Sequence, residues 1–166
     1  MTSSEHSLRE LCALALLSAL MLTSQVAMAA LPNIHLVATL IIVTTLAFGL
    51  KALLSVAVFV MLEGMIFGFG IWWVSYLYAW PILCAVVMLF RKNDAPLFWA
   101  IIAGAHGLLF GAMCALPYLF IGGIKMAVSY WVTGIPFDLA HCAGNFVVTL
   151  VLVKPLTKLT RRYIGK

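Results

Sequence analysis

Long apolar runs separated by short turn-forming stretches organise the chain from Leu11 to Leu156. A helix needs roughly 20 mainly apolar residues to cross about 30 Å of hydrocarbon. The runs divide into six segments near that length: Leu11–Ala30, Ile34–Gly49, Ala52–Gly70, Ile71–Phe90, Leu97–Gly122 and Phe137–Leu156. The breaks carry turn chemistry. They are Leu31-Pro32-Asn33, Phe48-Gly49-Leu50-Lys51, the Gly68 and Gly70 pair, Arg91-Lys92-Asn93-Asp94-Ala95-Pro96, and the Gly- and Pro-bearing stretch from Gly122 to Pro136. None of the runs alternates apolar and polar residues as a barrel strand does, and an open sheet would leave backbone groups unpaired in lipid. The pattern predicts an all-α integral membrane protein, six transmembrane helices in one membrane domain spanning residues 1–166.

Composition strengthens this picture. With 65% hydrophobic residues, 9% charged residues and a mean hydropathy of +1.15, the exterior as well as the core must be apolar. Charge then supplies an orientation, because basic residues concentrate in short cytoplasmic loops and at span ends. Arg9, Lys51, Arg91, Lys92, Lys154, Lys158, Arg161, Arg162 and Lys166 fall on one side of a six-span threading, and of the ten basic residues only Lys125 falls on the other. Both termini are therefore expected in the cytoplasm. The short second segment leaves an alternative open, a re-entrant hairpin with the third, which would keep the same charge split. At the amino end, Ala27-Met28-Ala29 resembles the small-residue cleavage site of a signal peptide. We read a retained first span instead, since Leu11–Ala30 exceeds a usual signal core and Arg9 sits beside Glu10 near Glu5.

Several classes are excluded or disfavoured. There is no second domain and no GxxxxGK[ST] phosphate loop, so any transport driven through this chain must borrow its energy from a gradient or a partner. Cys12, Cys84, Cys114 and Cys142 are scattered singly, without CxxC or a His at metal-ligand spacing, and read as small buried hydrophobes. No metal or cofactor is expected. The net charge of +5 is accounted for by cytoplasmic anchoring near anionic headgroups, and it does not imply nucleic-acid binding.

The informative residues are those that a membrane should exclude. Glu63 falls in the third segment, His106 in the fifth, and Asp138 with His141 at the start of the sixth. Asp138, His141 and Asn145 follow an i, i+3, i+7 spacing that puts them on one helical face. Pro136 is placed to open a helix, which would leave Asp138 in its first turn, where the dipole favours an acid. Asp138 thus fits a structural or a ligand-binding role, and His141 and Asn145 fit interhelical glue or ligand contact. For Glu63 and His106, a mutual hydrogen bond joining the third and fifth spans is favoured over a substrate role. Trp72, Trp73, Tyr76, Tyr78 and Trp80 crowd five amphipathic rings into nine positions, too many for all to face lipid at the interface. With Tyr118, Tyr130, Trp131 and Phe137 on the same side, they outline an outward-facing aromatic cavity suited to a small, flat, partly polar ligand.

Ala15-Leu16-Leu17-Ser18-Ala19 forms a small-xxx-small ridge that permits close helix approach. Gly64 and Gly68, Gly107 and Gly111, and Ala140 and Gly144 share this spacing. Taken with its size, six segments, inside termini and the closing run Gly134-Ile135-Pro136-Phe137-Asp138, then His141, Gly144 and Asn145, the chain resembles the S components of energy-coupling factor (ECF) transporters. These are the substrate-binding membrane subunits of vitamin importers. The resemblance implies a multi-pass protein of a bacterial plasma membrane that is not itself an enzyme. Ala15 and Ala19 would face a membrane-embedded T subunit driven by two ATPases. Ligand contacts would come from Asn33, His35, Trp72, Trp73, Tyr76, Tyr130, Trp131, Asp138, His141 and Asn145. No substrate-specific signature is present, and the aromatic lining favours a ring-containing micronutrient over a polyanion.

Two rival classes use the same residues differently. Asp138, His141, His106 and Glu63 could serve an intramembrane enzyme with one group activating water, although no Ser, Cys or second acid completes a nucleophile or ligand set. A membrane scaffold would need neither pocket nor polar cluster, and the aromatic concentration counts mildly against it.

Overall fold

The computed structural model describes residues 3–29 and 34–165. Among these residues every regular element is helical: α1 Ser3–Ala27, α2 Val37–Phe48, a 3-10 turn Gly49–Lys51, α3 Ala52–Phe67, α4 Ile71–Leu89 and α5 Pro96–Tyr163. Among the described residues, four stretches are long and apolar enough to cross a membrane, namely Ser7–Ala27, Val37–Phe67, Ile71–Leu89 and Pro96–Tyr163. Leu16, Met65, Leu109 and Val151 are among many large apolar side chains that point outward along them.

Two of these stretches fold back on themselves at glycines with positive φ, a conformation that side chains with a Cβ avoid. Gly49 (φ 62) closes α2 and Gly123 (φ 71, ψ −170) breaks α5. Side-chain pairs give the directions. Within α5, Asn145 meets Ala103, His141 lies against Gly107 and Asp138 meets Gly111. One partner retreats as the other advances, so arms 96–122 and 124–163 are antiparallel. Glu10 with Lys51, Leu14 with Ser55 and Gln25 with Glu63 advance together, so α1 and α3 are parallel. Tyr76 with Phe59 and Trp73 with Val60 make α4 antiparallel to α3. Trp80 with His106 and Tyr76 with Phe110 do the same for the first arm of α5. Thr39 with Thr149 and Leu46 with Arg161 set α2 parallel to the second arm.

At the centre stands α2, with 11 of its 12 residues buried. A helix apolar on every side belongs inside. Its 12 residues rise only about 18 Å, short of the thickness of a hydrocarbon layer. The α1–α3 seam is closed by hydroxyls: Ser18 Oγ lies 2.8 Å from Ser55 Oγ, so one donates to the other, and both lie 2.9 Å from the Leu14 carbonyl, which accepts the remaining proton.

Two expectations are corrected here. The stretch from Gly122 to Pro136 is not a loop, since apart from Gly123 it is helical and Pro136 lies inside the second arm. Asp138 is consequently not in a first helical turn but well within that arm, and it is buried. Membrane helices tolerate proline when the freed carbonyl finds another donor. Pro117 illustrates this: it has no N–H to offer Met113, four residues earlier, and the Tyr78 hydroxyl donates to the Met113 carbonyl instead, at 2.6 Å.

Candidate ligand site and partner face

At the end of the bundle remote from the Arg91–Lys92 turn is a cavity of about 360 Å³. Its rim is formed by the end of α1 (Gln25) with Met28 and Ala29 in the turn after it, and by the end of α3 (Glu63, Phe67). Opposite stand Trp72 and Tyr76 from the start of α4, with Ile34 and His35 ahead of α2. Phe110 and His141 come from the two arms of α5. Among the described residues, one carboxylate and no Lys or Arg therefore face the space.

The polar groups form a connected set. Gln25 Nε2 donates to Glu63 Oε2 at 2.9 Å and to the Tyr76 hydroxyl at 3.3 Å. Trp72 packs edge-on to Tyr76, with ring centroids 5.1 Å apart at 82°. Below them the His35 and His141 rings meet at 5.0 Å, and Phe110 lies 5.0 Å from His141. Trp80, fully buried, supports this layer from beneath and stacks on His106 at 5.4 Å. Gln25 Oε1, Glu63 Oε1 and both ring nitrogens of His141 are buried without a partner within the protein. Buried polar atoms are ordinarily satisfied, so these are the groups with bonding capacity to spare for a molecule in the cavity. His35 precedes the Val37–Phe67 span, and its Nδ1 accepts the Val37 N–H at 3.3 Å, which places the ring proton on Nε2.

The predicted site residues divide into groups. His35, Trp72, Tyr76 and His141 line the cavity together. Trp73 donates from Nε1 to the Val60 carbonyl at 2.8 Å and packs over Gly64, outside the lining. Asp138 accepts the Gly111 N–H at 2.9 Å, and Asn145 donates to the Ala103 carbonyl at 3.3 Å. Both lie on the buried stripe that carries His141 and Thr149, Asp138 on the hairpin-tip side of His141 and Asn145 on the opposite side, and neither lines the cavity. Tyr130 stacks on Tyr118 at 4.4 Å, and with Trp131 it is exposed near the tip of the α5 hairpin. Asn33 lies outside the described residues.

The expected bond between Glu63 and His106 is corrected as well: Glu63 is bound by Gln25, and His106 Nε2 lies 3.0 Å from the Ala79 carbonyl. Among the described residues no three His, Cys, Asp or Glu side chains converge to hold a metal ion. Sequence reasoning missed Gln25, Phe67 and Phe110. Gln25 had the same signal as Glu63, a polar side chain late in an apolar run, whereas nothing local marks Phe67 and Phe110 among ten phenylalanines.

The small-residue ridges also separate. A Cβ on Gly64 would overlap the Phe69 ring, and one on Gly107 would lie 2.9 Å from the His141 carbonyl carbon and oxygen. A Cβ on Gly144 would touch Ile34 at 3.3 Å. Those ridges are consumed by packing within the chain. Ala15 and Ala19 are exposed instead, on a face of α1 shared with Leu8, Leu11, Leu16 and Leu20.

No protein-family model, curated protein or solved structure matches the chain.

Proposed function

We propose that the chain is the substrate-binding S component of an ECF-type importer, threaded six times through a bacterial plasma membrane with both termini in the cytoplasm. The observation that carries this reading is the aromatic cavity at one end of the bundle, in whose lining Gln25 Oε1, Glu63 Oε1 and both ring nitrogens of His141 have no partner inside the protein. The six alternating helical directions suit the six-span threading, and the basic residues Lys51, Arg91, Lys92, Lys158 and Arg161 gather at the end away from the cavity. On this threading the cavity opens outward and the basic end faces the cytoplasm.

The ligand is a small ring-containing micronutrient. Trp72, Tyr76 and Phe110 would enclose its ring, and Gln25, Glu63 and His141 would meet its polar edge. With a carboxylate and no cation facing the space, a polyanion is disfavoured. The exposed Ala15–Ala19 ridge would seat the T subunit, and two ATPases bound to that subunit would supply the energy that this chain cannot generate.

Native mass spectrometry of the chain purified gently from its host tests the reading. Co-purification of a membrane subunit with two ATPases, or of a bound vitamin-sized molecule, is expected. A bare chain from both vitamin-replete and vitamin-poor growth would refute it. Ala15→Trp then isolates the partner face: uptake should be lost while ligand binding persists, and loss of both would count against the assignment.

A further inference from the structure

We propose that the end of the bundle opposite the ligand cavity carries a second site, which binds the phosphate of an anionic phospholipid headgroup. A cleft of about 640 Å³ lies there between the end of α2, the turn after α4 and the last turns of α5. Lys154, Lys158, Arg161 and Arg162 line it against a single acid, Asp94. Their spacing places the four cations along one side of the helix. Trp99 and Val153, both buried, supply an apolar floor.

Two observations distinguish this cleft from a solvated basic surface. The first is Thr157, whose hydroxyl is buried in the lining and has no partner within the protein. A helical Thr ordinarily bonds back to the carbonyl four residues earlier, as Thr44 does to Leu40 and Thr45 to Ile41. Thr157 leaves its donor for something in the cleft. The second is that the walls are fixed in place. Arg161 Nη2 donates at 3.2 Å to the Leu46 carbonyl, one of those left over at the end of α2, and Trp99 Nε1 donates at 3.1 Å to the Asn93 carbonyl. The remaining donors of the Arg161 fork are free for an oxyanion, which they match in geometry.

A phosphodiester fits better than a free phosphate because apolar surface continues from the cleft. Leu89 and Leu97 flank in sequence the turn that supplies Asn93 and Asp94, Val151 lies one turn before Lys154 on the helix that carries the cations, and all three are exposed, so acyl chains would lie along them while the headgroup meets the cations. The site stands whether or not the importer reading holds, since it shares no residue with the ligand cavity.

Native mass spectrometry of the purified chain in neutral detergent tests the proposal, with short-chain phosphatidylglycerol, phosphatidylcholine and inorganic phosphate as probes. Phosphatidylglycerol should be retained about 10-fold better than phosphatidylcholine, and millimolar phosphate should not displace it. Thr157→Val should lower retention about 10-fold, as expected for a hydrogen bond to a charged group. The double variant Lys158→Gln/Arg162→Gln should lower it further and flatten its dependence on salt. Equal retention of the two lipids, or retention unchanged in both variants, would overturn the proposal. Displacement by inorganic phosphate would reassign the cleft to a soluble anion and would equally overturn the lipid site.

Discussion

Gly107→Ala puts the packing of the two α5 arms to a quantitative test. The added Cβ would sit 2.9 Å from both the carbonyl carbon and oxygen of His141, and 3.0 Å from Asn145 Nδ2. Because the obstruction is backbone, no rotamer change relieves it, and the second arm must move. Overpacking of this kind costs about 1–3 kcal/mol, offset by about 1 kcal/mol from the better helix propensity of Ala. Gly134→Ala is the control: it lies inside the second helical arm with nothing within 4 Å of its would-be Cβ, so it should gain up to about 1 kcal/mol. The two variants should therefore differ by about 2 kcal/mol, or about 4–8 °C in apparent midpoint for a chain of this size. Thermal unfolding in one detergent at one scan rate reads the difference. The Gly107 variant should also bind ligand more weakly, since the displaced backbone carries His141. If Gly107→Ala melts at or above Gly134→Ala, the arms do not meet as described.

Gln25→Leu removes the donor to Glu63 Oε2 and should cost about 1–3 kcal/mol, because a buried acceptor is left bare; a midpoint equal to wild type would show that Glu63 does not depend on that amide. A double-mutant cycle on Ser18→Ala and Ser55→Ala should give a coupling of about 0.6 kcal/mol, the usual scale for interhelical hydrogen bonds in membranes, and additive effects would contradict the α1–α3 seam.

Much of the helical framework could be read from the chain because apolar runs and glycine breaks are local signals. Ile71–Phe90 was expected and Ile71–Leu89 is found, and Gly49 and Gly123 turn the chain at or beside the predicted breaks. The failure at Gly122 to Pro136 has a physical cause: Gly134 and Pro136 read as breakers, yet a lone proline removes a single hydrogen bond, and the flanking turns hold the helix through it. Periodicity also placed Asp138, His141 and Asn145 on one face, and all three are buried there. Which polar groups meet across the bundle was not legible. Glu63 could have reached toward the first, fourth or fifth span, and its pairing with Gln25 depends on α1 running parallel to α3. Spacing along one segment does not encode that neighbour relation.

The shortness of α2 decides how deep a captured molecule would rest. Counted from the Glu10–Lys51 pair, α1 continues to Ala27, a rise of about 26 Å, whereas α2 spans only Val37–Phe48 and about 18 Å. The central strut stops roughly 8 Å, about a quarter of the hydrocarbon thickness, below its neighbours. Encircled by protein, it has no lipid thickness to match, and the height it gives up becomes a well floored by His35 and walled by longer helices. A ligand there would sit below the headgroup plane, shed most of its water on entry, and be graded chiefly on whether its donors and acceptors match those already waiting.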